Sequence, residues 1–163
     1  MRRIAVVFAT LAIAGCATFG GRGSEIQDAA WATARVNPDT LLRIAVTQLE
    51  HHGYTVQKLG ERSVMTVPRT VPNYLRDANA PTPPAEQWVV RVNVDQVPFM
   101  GNSRVAVSAF VLPKAGSTTA TAANAAVLER ATPVTSENER MFSEVETVAR
   151  WISDAAKRYR KER

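Results

Sequence analysis

The sequence predicts an α+β fold, a two-layer sandwich. An antiparallel sheet of about four to five strands is packed by an N-terminal helix and a long C-terminal helix. Three observations predict it. Segments 38–51 and 137–160 repeat apolar residues every three and four positions, the period of a helix with one buried stripe. Segments 87–94 and 104–112 alternate at period two, as strands do. Short punctuation at 60–62 and a long Pro-rich stretch at 68–87 set the order: helix, hairpin, long loop, two strong strands, weak strand, helix. The 163 residues are one domain's worth of chain, and 45% hydrophobic content excludes wholesale disorder.

Each element follows from local chemistry. Residues 25–34 have helical composition around Trp31, and a short helix and an extended arm both fit them. Asn37-Pro38 opens the first helix as N-cap and first-turn proline, with Asp39 favoured by the helix dipole. Leu41, Leu42, Ala45, Val46 and Leu49 form its stripe, and Gly53 ends it. Residues 54–59 and 63–67 read as a hairpin. Five prolines (Pro68, Pro72, Pro81, Pro83, Pro84) bar a regular interior strand from 68–87, where Tyr74 and Leu75 pin a short turn of helix. Loops of this length are often functional. In the next strand Trp88, Val90, Val92 and Val94 share one face, and Val89, Arg91 and Asn93 the other. A turn at 98–103 leads to its partner, where Val105, Val107, Ala109 and Val111 alternate with Arg104, Ala106, Ser108 and Phe110. Residues 114–124 read as a loop and 125–131 as a last edge strand. Ser136–Glu139 forms a capping box for the final helix. The stripe of that helix is Phe142, Val145, Val148, Ala149, Ile152, Ala155, Ala156 and Tyr159. Trp151 lies just off it, placed to cover the sheet edge.

The N-terminus is laid out as an export signal: Arg2-Arg3, an apolar stretch from Ile4 to Ile13, then the small residues Ala14 and Gly15 before Cys16. The stretch is too short for a permanent membrane span. Ile13-Ala14-Gly15-Cys16 resembles the signal box of bacterial lipoproteins. The resemblance implies a signal peptide at 1–15 cut before Cys16, with Cys16 acylated and serving as the contact with membrane lipid. Residues 16–24, with Gly20, Gly21 and Gly23, then form a flexible tether, and 25–163 form a single domain. Ala17, where inner-membrane lipoproteins of this kind typically carry Asp, implies the outer membrane, facing the periplasm. The element order is also loosely similar, as topology alone, to the helix–sheet–helix domains of BamC-type outer-membrane assembly lipoproteins.

Little in the chain points to catalysis. One cysteine excludes an internal disulfide framework and a cysteine-cluster metal site. His51 and His52 are neighbours, cannot share a helix face, and read as a helix end. No serine stands in a Gly-x-Ser-x-Gly context, and Glu137/Glu139 and Glu144/Glu146 read as a helix cap and a solvated face. Gly20-Gly21-Arg22-Gly23 follows no strand and precedes no Lys-Ser/Thr, so it is no phosphate loop. The expectation is therefore no catalytic residue, metal or cofactor. The basic balance shrinks too: loss of Arg2 and Arg3 takes the net charge from +5 to +3. The rest is concentrated in the Lys157–Arg163 tail, which suits an anionic envelope surface better than nucleic acid. The expected role is a non-enzymatic envelope scaffold that meets another envelope protein, with Tyr74, Leu75 and Trp151 as contact surface. The alternative is a lipid or small-molecule binding module, with Trp88, Phe110 and Phe142 as pocket or core. A hydrolase-like enzyme is the second alternative.

Overall fold

A computed structural model describes residues 27–75, 87–97, 102–112 and 131–162. The signal box with Cys16, the glycine tether, the second half of the Pro-rich stretch, the turn at Gly101 and the 114–124 loop lie outside the described residues.

The first element is a strand, β1 (Ala30–Ala34), not a helix. It pairs antiparallel with a strand far along the chain, Ala30 opposite Val107 and Ala34 opposite Ser103. Of the two readings of 25–34, the extended one holds over these five residues. Ala30, Ala32 and Ala34 turn inward while Trp31 and Thr33 face out. Sheet pairing has overridden the alanine-rich helical propensity.

Helix α1 spans Pro38–His51. The Asn37 side chain accepts a hydrogen bond from the Thr40 amide at 2.7 Å. Gly53 takes φ +78°, a conformation that penalises any residue with a Cβ. There follow β2 (Val56–Gly60), β3 (Ser63–Thr66), the two-residue β4 (Arg69–Thr70), a 3-10 turn at Asn73–Leu75, β5 (Gln87–Val97) and β6 (Asn102–Leu112). After them come β7 (Thr132–Pro133) and helix α2 (Glu139–Lys161).

Most of the expected 125–131 edge strand lies outside the described residues. Ala131 itself is not in a strand, and the pairing next to it is the short β7 on Phe110 and Val111. Helix α2 also begins later than the capping box predicted. Its N-cap is Asn138, whose side chain accepts from the Met141 amide at 3.2 Å. The Ser136 hydroxyl instead accepts from the Gln27 amide at 3.0 Å, and the Ser136 amide donates to the Gln27 carbonyl at 2.8 Å. Holding the start of the β1 segment thus removes Ser136 from the cap.

All strand pairs are antiparallel, in the order β1-β6-β5-β3-β2, with β4 on β5 and β7 on β6. Both helices lie on one face. Arg43 meets Tyr159, His52 meets Trp151 and Tyr54 meets Glu144, a reversed order that sets α1 antiparallel to α2. The fold is thus α+β, an antiparallel sheet packed by an N-terminal and a C-terminal helix. Trp88, Val90, Val92, Val94, Val105 and Val107 fill the space beneath Leu41, Ala45, Leu49, Val145, Val148 and Ile152. Met65, Val89 and Leu112 form a second buried cluster on the opposite face, with Phe110 half-buried beside them.

Candidate functional site

Of the expected contact residues, Tyr74 is 66% exposed, the highest value for any large apolar side chain described. Leu75 is not surface. It is buried in the main core, because the 3-10 turn points it inward while its neighbour faces out. Trp151 is half-buried against the main core. Its ring stacks on His52 at 3.5 Å and 6°, closing the end of α1. His52 is itself the C-cap residue of α1, so the histidine pair sits at a helix end as its spacing predicts. Trp88 and Phe142 belong to the core between sheet and helices. Phe110 lies across from Val89 on the other face, so it cannot line a space with Trp88.

The structure draws attention to a residue that sequence reasoning missed. Arg69 stands directly across from Trp88 in the β4–β5 pair, so both side chains share the helix-covered face. Its guanidinium lies 3.6 Å from the centre of the Tyr54 ring and 5.3 Å from that of Trp88, a cation held against two aromatic faces. The Tyr54 hydroxyl donates to Glu144 Oε1 on α2 at 3.5 Å. Burial pushes the Tyr54 hydroxyl well above the ordinary tyrosine range. The Arg69 charge pulls it down, while Glu144 and the nearby Tyr74 push it up. Tyr54 is therefore a neutral donor across the physiological range.

Two donors here have no acceptor. Arg69 Nε and Trp88 Nε1 are both buried without a hydrogen-bond partner. A buried unpaired donor costs about 1–3 kcal/mol, so each needs a reason. Nor does Arg69 form an ion pair with any described carboxylate; Glu144 is engaged with Tyr54 instead. The only sequence signal for this arrangement was an arginine among prolines, since a two-residue strand carries no readable register.

Elsewhere the surface has open clefts. One of about 530 Å³ runs between β1 and α2 past Ala30, Ala32, Arg150 and Ser153. A neighbouring one of about 290 Å³ collects Arg35, Lys157 and Arg160 beside Asn102. A third, of about 470 Å³, separates the helices at Arg43 and Tyr159. Among the described residues no group of three or more His, Cys, Asp or Glu is arranged to hold a metal, and no helix is long and apolar enough to cross a membrane. The chain matches no family model, and it matches no curated protein.

Proposed function

We propose that this protein is a lipid-anchored envelope lipoprotein with a non-enzymatic, protein-contacting role. The observation that carries this reading is Ile13-Ala14-Gly15-Cys16 behind Arg2-Arg3 and a ten-residue stretch that only Thr10 interrupts. In this reading Cys16 forms a thioether to a diacylglyceryl group, and the amine freed by cleavage takes a further acyl chain. Two or more chains anchor firmly where one does not. Ala17 supports the outer membrane as the site, with the domain on the periplasmic side. The contact surface is the end of the domain that carries Tyr74 and Arg69. Tyr and Arg are among the residues that most often dominate binding energy at protein interfaces, and here Tyr74 is exposed and Arg69 half-buried.

Fractionation of cells expressing wild type and Cys16→Ser tests the anchor. Wild type should sediment with the membranes, require detergent for release and incorporate labelled palmitate. Cys16→Ser should lose the label and leave the membrane fraction when its signal is removed. A signal-cleaved Cys16→Ser protein that stays with the membranes overturns the reading.

A further inference from the structure

We propose that Arg69, clamped against Tyr54 and Trp88, is the receptor for a carboxylate group of a ligand. The inference rests on the contact-surface part of the proposed function, and acylation of Cys16 plays no part in it.

Four observations converge. Arg69 is a half-buried cation that pairs with no described carboxylate. Its Nε is buried, while its terminal nitrogens are not among the buried unpaired atoms, so the outer edge of the guanidinium fork is the part a ligand can reach. The guanidinium carbon is held 3.6 Å from the centre of the Tyr54 ring and 5.3 Å from that of Trp88, which restrains the fork. A guanidinium whose orientation is fixed in advance loses less freedom on pairing than a free one. Finally, Trp88 Nε1, on the same face, is a second donor with no acceptor, in a residue with no exposed surface.

The chemistry of the donors selects the ligand. A fixed, planar fork suits a flat acceptor with two oxygens, which is a carboxylate. Charge selects it as well. Arg69 is the one cation against these rings and Glu144 is one tyrosine away, so the second negative charge of a phosphate dianion would meet repulsion and no further cation. Exposed Tyr74 lies near enough to act on the Tyr54 hydroxyl. The carboxylate has two sources, the end of a peptide chain or a free organic acid, and the test separates them.

The probes are acetate, the tripeptide Gly-Ala-Ala with a free C-terminus, its C-terminal amide, and inorganic phosphate, each against sodium chloride at matched ionic strength. The protein is the full chain carrying Cys16→Ser. The readout is the indole N–H resonance of Trp88, assigned by its loss in Trp88→Phe. Acetate and the free tripeptide should both shift this resonance saturably, and the amide should not. Tripeptide affinity exceeding that of acetate by about tenfold or more assigns the site to peptide ends; equal affinities assign it to free acids. Arg69→Lys should weaken binding about tenfold by losing the fork while keeping the charge, and Arg69→Gln should abolish it. Circular dichroism checks that both variants are folded, and the wild-type titration needs neither. No saturable shift with acetate or tripeptide overturns the proposal, as does a response to phosphate alone, or one that survives in a folded Arg69→Gln. If only this titration fails while Cys16 anchoring holds, the anchor reading stands and the carboxylate receptor falls.

Discussion

Tyr54 directly follows Gly53, and its amide donates to the Leu49 carbonyl at 3.0 Å, so the turn that ends α1 also sets a phenol between helix and sheet. The ring is buried, carries Arg69 on its face and donates its hydroxyl to Glu144. Burial raises its pKa in the folded protein, which fixes the sign of a pH effect. A group whose folded pKa lies above its unfolded value contributes stability in full below the unfolded value, about 10 for tyrosine, and loses it as pH rises toward the folded value. The stability difference between wild type and Tyr54→Phe, followed by urea unfolding from pH 7 upward, should therefore be constant up to about pH 9 and then move in favour of Phe. At neutral pH the variant should be less stable by about 1 kcal/mol through loss of the Glu144 hydrogen bond. A difference that stays flat above pH 10 would show that the hydroxyl is not held neutral by the fold.

At the scale of elements, the start of α2 offers two cap candidates two residues apart, and local rules accept both. Ser136 satisfies the capping-box pattern, yet Asn138 caps the helix. The choice is made by Gln27, 109 residues distant in sequence, which occupies the Ser136 hydroxyl. Asn138→Ala should destabilise the protein by about 1 kcal/mol. Ser136→Ala should leave helix content unchanged and speed hydrogen exchange at the Gln27 amide, both measurable by amide exchange with circular dichroism alongside. Helix fraying in Ser136→Ala but not in Asn138→Ala would reverse the assignment. The same contrast explains what the sequence made legible. The span of α1, its Asn37 cap and its Gly53 stop rest on neighbours within four residues, and the β2–β3 and β5–β6 pairs on alternation and short connections. β1 is a strand because β6 lies beside it, and Arg69 is part of a site because β4 sets it opposite Trp88. Both facts belong to pairings that no local pattern encodes. Alternation likewise separated Phe110 from Val111, but only packing decided which side met the helices.

At the scale of the whole molecule, one buried cluster links nearly every element. Ala30 of β1, Leu41 of α1, Val64 of β3, Leu75 of the 3-10 turn, Trp88 of β5, Val107 of β6 and Ile152 of α2 all belong to it. The helices therefore have nothing to bury their hydrophobic stripes against once the sheet has gone, and the helix-facing side of the sheet has no cover once they have. A layer that cannot satisfy its own apolar face should not survive alone, so unfolding should be cooperative. Trp88, the largest fully buried side chain, reports on that shared layer. With Cys16→Ser, Trp31→Phe and Trp151→Phe in the full chain, fluorescence comes from Trp88 alone, while far-ultraviolet circular dichroism follows the helices. In urea the two signals should give one midpoint and one slope, of about 1–3 kcal/mol per molar. An earlier dichroism midpoint would mean that the helices leave before the sheet opens. In that case the far-face cluster of Met65, Val89 and Leu112, and not the one beneath the helices, would be what holds the strands together.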